Sequence, residues 1–453
     1  MSVFRESNHM LLQDWGGRKR MFRIRVSATI FLLCILLLES FYIIMYPSTA
    51  VNENPADVHD DSYTIFHDNG ITSALNGTTQ AVEFSSADAT EVIRSAVEAL
   101  PFFGGRVCFR AGRYTVVSPI VLDKPCSIEG EGSGRSYPEQ GVTQIDFGNT
   151  TGFKIVSAGV RICHLQLRGC GDEFSGCVGI HFDTSLNALN QNLNIEDVMI
   201  VDTYYAVYGT GSHDIWDLYL SDVYVNHCNE AIRIDKADGA VQLQTNHVII
   251  SHAKSDAVYL TRVDAVILDS IYFVEPLGNG IVIASFVSYP LMIRNCQLDE
   301  CHENGILLAF EEPCSLWLTV TDTQIKAYRT AILLSNAQDV IISNCHMAAS
   351  QMSGSNESIF YAENSYRVQV NDCLIKNLSN ATRDCLELRD SRHCQVAGCH
   401  VDHSVGNAVN VDFTIKETGT ESNCNQIVNN ICVGAQEGPV KIYGAASINQ
   451  NNI

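Results

Sequence analysis

The chain is 453 residues long, 46% hydrophobic and strongly acidic, with a net charge of −22 at neutral pH. That length buries a large core, and that charge disfavours nucleic acid as a partner, because a phosphate backbone needs a cationic surface. It also disfavours a polyanionic glycan, unless cations bridge the two or a local basic patch takes over.

Residues 1–25 run against the trend: Arg5, Arg18, Lys19, Arg20, Arg23 and Arg25 face only Glu6 and Asp14. Residues 26–46 (VSATIFLLCILLLESFYIIMY) are mostly apolar, and no basic cluster follows them. The length suits a transmembrane helix, with Glu39 costing about 2–3 kcal/mol on insertion. The positive-inside rule then makes 1–25 a cytoplasmic tail and 26–46 a single-pass type II signal anchor. The rest lies in the lumen or outside the cell. The alternative is a cleaved signal peptide, with Ser48-Thr49-Ala50 as the small-residue site, and a secreted product. Residues 47–80 are polar and turn-rich and read as a stalk, leaving 81–453 as the main domain.

At 85–134 the pattern changes. Asp88, ahead of Thr90 and Glu91, opens a short amphipathic helix with Val92, Ala96, Val97 and Leu100 on one face. Gly104 and Gly105 end it. Two alternating strands follow, RVCFRAGRYTV and SPIVL. An apolar helix at the open end of a stack of repeats caps it by blocking edge pairing.

From about Ile162 onward one phrase recurs roughly every 23 to 30 residues, a period that signals stacked repeats. Its first strand gives the column Ile180, Val207, Ile232, Val258, Ile281, Ile306, Ile332, Ile359, Leu386, Val409 and Val440. A later strand gives Ile195, Leu220, Thr245, Leu268, Ile293, Val320, Ile342, Val370, Val396 and Val428. Alternation is period two, so these are half-buried strands. Two residues on comes a polar position: Asp197, Asp222, His247, Ser270, Asn295, Asp322, Asn344, Asp372, Gly398, Asn430. Asn, Asp and Gly tolerate left-handed backbone, which predicts a sharp corner. The apolar phase then restarts at Val198, Val223, Val248, Ile271, Cys296, Thr323, Cys345, Cys373, Cys399 and Ile431. Three short strands per repeat predict an all-β fold, a single-stranded right-handed parallel β-helix of about 10–12 coils spaced ~4.8 Å apart. A leucine-rich horseshoe needs an L-x-x-L-x-L frame that is absent, and a β-sandwich needs hairpins. Residues 446–453 resemble 426–432 and predict the start of a further coil, with no capping helix behind it.

Seventeen cysteines are present, all but Cys34 beyond the apolar stretch, where disulfides are permitted. Cys296, Cys345, Cys373 and Cys399 read as inward small hydrophobes. Cys163, Cys170 and Cys177 are the disulfide candidates. No cluster has zinc spacing. Asn-x-Ser/Thr acceptors at Asn76, Asn149, Asn356, Asn377 and Asn380 predict glycosylation in a eukaryotic lumen.

The segment D-A-T-E-V-I-R-S-A-V…G-G-R-V-C-F-R-A-G-R-Y-T-V…P-I-V-L…E-G-E-G-S-G resembles the opening of the pectate-lyase-like superfamily. With the coils, the resemblance covers about residues 85–453. It implies a parallel β-helix that binds an elongated polysaccharide along one face, in a family of polygalacturonases, lyases, epimerases and phage tailspikes. The fold alone does not assign an activity. In polygalacturonase-like members the catalytic Asp residues precede the G-I-x-I strand. Those positions here hold Glu230, Asp256, Asn279, Asn304, Thr330, Glu357, Asp384 and Asn407. The family's G-H-G and R-x-K motifs are absent, as is the D-P-H-E frame of mannuronate epimerases.

The candidate catalytic groups are Glu230 and Asp256, on adjacent coils, with His227 and His252 beside them. Acid–base work on a glycosidic bond or a C5 proton needs two nearby titratable groups with separated pKa values. The reading is a polysaccharide hydrolase, lyase or epimerase; the alternative is a non-catalytic glycan-binding or structural β-helix. Substrate-binding candidates are Arg233, Tyr259, Tyr208 and His181 on the neighbouring strand, and Glu275, Glu300, His302 and Glu303 on the lip. Asp202, Glu275 and Glu300 recur at one lip position, where stacked acids with oxygen ligands are a possible Ca²⁺ site. Farther along, the outward column turns apolar at Val282, Leu307, Leu333 and Phe360. That stripe is covered either by the loop 347–358 or by another copy in a homo-oligomer.

Overall fold

The computed structural model describes residues 11–13, 19–21, 62–134, 141–185, 192–285, 290–349, 358–378, 385–402, 413–419, 422, 424–433, 438–441, 447–450 and 452. They fall in two units, Met1–His59 and Asp60–Ile453. In the first, Leu11–Gln13 pairs antiparallel with Lys19–Met21. The expected spanning segment 26–46 lies outside the described residues, and among those described no helix is long and apolar enough to cross a membrane.

The second unit is a parallel β-solenoid whose strands stack on three faces. The first face runs through Arg106–Phe109, Cys126–Glu129, Ile215–Ser221, Val266–Asp269 and Leu291–Arg294 to Ile448–Gln450. The second runs through Gly112–Thr115, Thr143–Gly148, Val248–Ala253 and Ile271–Val274 to Ile431–Val433. The third runs through Ile120–Leu122, Thr151–Ile155, Val178–Thr184, Val258–Leu260 and Ile281–Ile283 to Gly438–Lys441. All these ladders are parallel, because each coil repeats the path of the one before.

The apolar period sets the registers. On the third face Ile180, Val207, Ile232, Val258, Ile281, Ile306 and Ile332 pair in succession, as expected. The next rungs are Phe360, Leu386, Ile415 and Val440, not Ile359 and Val409. The expected apolar stripe is corrected with them. Phe360 points inward and is fully buried, and the residue in register with Leu333 is Tyr361. On the first face the column runs as read from Ile195 to Val396, then takes Ile427 in place of Val428. Rings of Phe147, Phe153, Phe182, Phe273 and Phe360 fill the interior at 0% exposure, each contributing about 1.5–3 kcal/mol by burial.

The polar corners hold left-handed backbone. Asp197, Asp222, His247, Ser270, Asn295, Asp322, Asn344 and Asp372 have φ between 49° and 55°. Gly398 continues the column at 68°, and Asn429, not Asn430, closes it at 57°. Asn430 turns inward instead: its Oδ1 accepts from the Cys399 amide at 2.9 Å and its Nδ2 donates to the Val396 carbonyl at 3.0 Å. Ile431, expected to restart the apolar phase, is half exposed.

The first end differs from the expectation of a stalk and a helical cap. Ser62–Asp68 pairs parallel with Arg106–Phe109 and antiparallel with Ile71–Asn76, which pairs in turn with Val82–Ser86. The second half of the supposed stalk is therefore sheet, and an antiparallel meander covers the edge of the first face. The helix Ala89–Ala99 lies beside it, with Asp88 Oδ1 accepting from the Thr90 amide at 2.8 Å. It buries Val92, Ile93, Ala96 and Val97. At the far end Ile448–Gln450 adds the expected further rung on Gln426–Val428.

Among the described residues the cysteines at 108 and beyond are free thiols. Cys296, Cys345, Cys373 and Cys399 are buried in the interior column, as read. Asn149 is exposed, and Asn76 sits half-buried with its side chain bonded to Glu83, Thr78 and Thr79. Asn377 is fully buried, which excludes a glycan there in the folded chain and corrects that expectation. Asn356 and Asn380 lie outside the described residues.

Candidate functional site

A parallel ladder repeats one outward position at about 4.8 Å per coil, so a column of side chains becomes a continuous strip. On the third face that strip is Lys154, His181, Tyr208, Arg233, Tyr259 and Val282, in register. Three residues before Tyr208 and Arg233, a second strip places Tyr205 against Glu230. Tyr205 was not anticipated. Its signal was present, because it occupies the same repeat position as Glu230 one coil earlier.

The rings form a stack. His181 lies on Tyr208 at 5.2 Å between centroids and 22°, and Tyr205 on Tyr208 at 4.4 Å and 18°. The Arg233 guanidinium lies 4.4 Å from the Tyr259 ring and 5.9 Å from the Tyr205 ring. These side chains are half-buried, each with one edge or face toward solvent. His181 Nε2 is 2.7 Å from Thr210 Oγ1, and burial lowers its pKa.

Carboxylates border the stack. Glu230 is 6% exposed, and both its oxygens accept from Arg233 Nη1 at 2.9 Å. Asp235 takes the other arm of the guanidinium at 2.9 Å. Lys154 is held by Asp183 at 2.8 Å. Burial raises the Glu230 pKa; the Arg233 bond opposes it, and the Asp256 charge adds to it. Burial and the Glu230 charge push the Tyr205 hydroxyl up to about 12.

Asp256 occupies the coil after Glu230 and starts a different ladder. Its Oδ1 accepts from both the amide and Nδ2 of Asn279, at 2.9 and 2.7 Å. Asn279 Oδ1 accepts in the same way from Asn304, at 3.1 and 2.9 Å. One carboxylate oxygen thus fixes the turn while the other is not used by this ladder. Thr330 follows in register with Asn304. The coil after that brings Ser358, not Glu357, to the position, because of the shift to Phe360.

The remaining candidates separate. His227 and His252 are exposed corner residues with φ of 52° and 57°, and their rings stack on each other at 5.1 Å and 9°. Neither is bonded to Glu230 or Asp256; His252 Nδ1 instead meets Ser251 Oγ and Asn226 Oδ1. The pairing of these histidines with the carboxylates, expected from their spacing, is thereby corrected. Asp202 is ion-paired with Arg168 at 3.1 Å and Glu300 with Lys326. Glu275 is exposed at its own corner. Among the described residues no group of three or more His, Cys, Asp or Glu converges so as to hold a metal ion, which corrects the stacked-acid Ca²⁺ reading. His302 packs edge-on against Tyr328 at 4.7 Å, and Glu303 lies 3.4 Å from Arg329. That lip is three rungs from Glu230, or ~14 Å, so it is not part of the aromatic stack.

Comparison with solved structures agrees with this architecture. Tailspike protein 3 of bacteriophage CBA120 superposes with a TM-score of 0.51 at 9% identity, covering 96% of this chain and 69% of its own. DFA-IIIase from Arthrobacter chlorophenolicus A6 in complex with GF2 gives 0.50 at 13% identity, covering 80% and 96%. The parallel β-solenoid fold is shared with these two proteins. The A-module of the mannuronan C-5 epimerase AlgE4 from Azotobacter vinelandii gives 0.49 at 15% identity, covering 79% and 95%. No family model matches this β-helix chain, and no curated protein does.

Proposed function

We propose that this is a carbohydrate-active β-helix protein whose third face, from His181 to Tyr259, binds an uncharged glycan. The observation that carries this reading is the stack of His181, Tyr208 and Tyr205 with Arg233 and Tyr259, edged by carboxylates. Aromatic faces accept the C–H side of a pyranose or furanose ring, and carboxylates accept its hydroxyl protons. The cations of the strip are already engaged: Arg233 by Glu230 and Asp235, Lys154 by Asp183. A sugar carboxylate entering beside Asp235 would meet a like charge at a cost on the order of 3 kcal/mol at ~5 Å. A hydroxyl meets no such cost. One protein of the same fold, a DFA-IIIase, was solved in complex with GF2, which is in keeping with a glycan ligand for this fold.

A catalytic reading of the same face rests on Glu230. A buried carboxyl with a raised pKa keeps its proton longer than an exposed one and can pass it to a leaving glycosidic oxygen. The C–O bond then breaks, and water adds its hydroxyl to the anomeric carbon while its proton passes to Asp256. The apolar segment 26–46 would display this face on the extracytoplasmic side.

The test is a panel of neutral glucans, mannans and fructans beside polyuronates, offered to the full chain and to Tyr208→Ala. Binding by a neutral member that weakens about tenfold or more in the variant supports the reading. If no glycan of either class binds or yields product, the reading falls.

A further inference from the structure

We propose that Cys170 and Cys177 form a disulfide that staples the loop between them beside the aromatic face. Among the described cysteines Cys170 is the exposed one, and the Cys177 thiol is fully buried directly beneath it. The Cys170 amide lies 3.2 Å from Cys177 Sγ, and the two thiols are themselves within hydrogen-bond reach. The interior column also brings thiols together, Cys345 to Cys373 and Cys373 to Cys399, but every one of these is buried. Cys296, Cys345 and Cys373 each place their S–H on a backbone carbonyl two residues back, at 3.1 to 3.2 Å. Those thiols are all sealed from solvent; Cys177 is buried as well and reaches the Asp202 carbonyl at 3.5 Å, but its neighbour Cys170 is exposed, so an oxidant can reach this pair.

The loop between the pair is already folded for closure. The Cys177 amide donates to the Phe174 carbonyl at 2.8 Å, and the Gly171 amide to the Asp202 carbonyl at 2.8 Å. Asp172 reaches Lys254 at 2.8 Å, with Glu173 at 3.6 Å. Arg168 registers with Val201, Val201 with Asn226, and Asn226 with Ser251. The loop therefore crosses three rungs of the corner. Its far end is tied to the site, because the Cys177 carbonyl accepts from the amides of Tyr204 and Tyr205 at 2.8 and 3.3 Å. A staple at Cys177 thus fixes the strand that carries Tyr205 into the stack.

The oxidant required is a low-molecular-weight disulfide such as oxidised glutathione. The Cys170 thiolate attacks one of its sulfurs and releases one reduced glutathione. Cys177 then displaces the second, so two protein thiols are oxidised and one small disulfide is reduced to two thiols. Burial and the neighbouring Cys177 push the Cys170 pKa up to about 11. Formation should therefore accelerate as pH rises from 7 to 9, since the thiolate is the nucleophile.

The full chain, equilibrated in a glutathione redox buffer, denatured and alkylated before mass spectrometry, decides this. The expected result is the loss of two alkylatable thiols, both in the peptide bearing Cys170 and Cys177, with a mass about 2 Da lower that dithiothreitol restores. Cys163 and Cys228 should label fully. Complete labelling of Cys170 and Cys177 in oxidising buffer overturns the proposal. So does a stable glutathione adduct on Cys170 alone, or pairing of either residue with a different cysteine.

Discussion

The third face is one ladder with two kinds of surface. From Lys154 to Tyr259 its outward side chains are charged or aromatic; over the next three rungs, Val282, Leu307 and Leu333, they are aliphatic, before Tyr361 and Glu387 return the strip to aromatic and charged groups, in unbroken register. Backbone, spacing and corner geometry are the same in both halves. The difference shows that a solenoid provides identical addresses, and that chemistry is assigned by which side chain occupies each one. A strip of alternating rings and charges can hold a polar ligand; a strip of aliphatic chains can only be covered.

The largest contrast should come from Glu230. Glu230→Gln keeps the shape, cannot donate a carboxylic proton and carries no charge to hold Arg233. If the early half is catalytic, turnover falls 10²–10⁴-fold while glycan affinity changes by only a few fold. Product release measured beside calorimetric binding separates the two. In the wild type, activity should decline as pH rises through the raised Glu230 pKa, since a proton donor must still carry its proton. Unchanged turnover in the variant would leave Glu230 only as the anchor of Arg233.

Next in size is the aromatic stack. Tyr208→Ala removes the ring on which both His181 and Tyr205 lie. Affinity for a neutral glycan should drop by about tenfold or more, near 1–2 kcal/mol. Leu333→Ala, the same change on the later half, should leave affinity as it was. Equal losses in titration calorimetry would show that the two halves are one surface.

A third contrast lies behind the early half. Lys236 is 4% exposed, and among the described residues its ammonium donates to Thr184 Oγ1 and the carbonyls of Thr210 and His213. Burial lowers its pKa to about 8. Between that value and the unfolded value near 10.5 the unfolded chain binds more protons, so this group makes stability rise with pH across the window. Below pH 8 the buried charge is a standing cost. Lys236→Met should remove that slope, as read from denaturant midpoints of both proteins between pH 7.5 and 10. A slope identical in both would assign it to other groups.

The repeat was legible wherever a single residue fitted each column. Registers failed where two neighbours fitted equally well. Ile359 and Phe360 are both apolar and both buried, and the variable segment before them hides the spacing. Ile427 beside Val428 and Asn429 beside Asn430 present the same ambiguity, and each resolved one residue earlier. The outward column of the site was readable from the same period, since His181, Tyr208, Arg233 and Tyr259 do share a strip. What spacing does not show is how a side chain turns once placed. His227 and His252 sit at the correct corner, yet their rings stack on each other and His252 bonds Ser251 and Asn226 rather than a carboxylate. Asp256 has the right position, but Asn279 claims one of its oxygens.

The smallest effect tests whether the frame can be altered without altering the surface it carries. Asn295 and Asn344 hold the same corner two coils apart, at φ of 54° and 53°. A Cβ-bearing residue without a short polar side chain gives up about 1–2 kcal/mol in that conformation, and Asn295 also loses its bond to Asp269 at 3.1 Å. Asn295→Ala and Asn344→Ala should each cost about 1 kcal/mol, Asn295 slightly more, and Gly at either place should restore most of it. In a stack where each coil touches only its neighbours, the loss appears as faster local hydrogen exchange near the altered rung rather than as a global shift. Glycan binding should be untouched in both. A corner variant that weakened binding would mean that the face depends on how the rungs are spaced as well as on what they carry, and the division between a uniform frame and a variable surface would have to be given up.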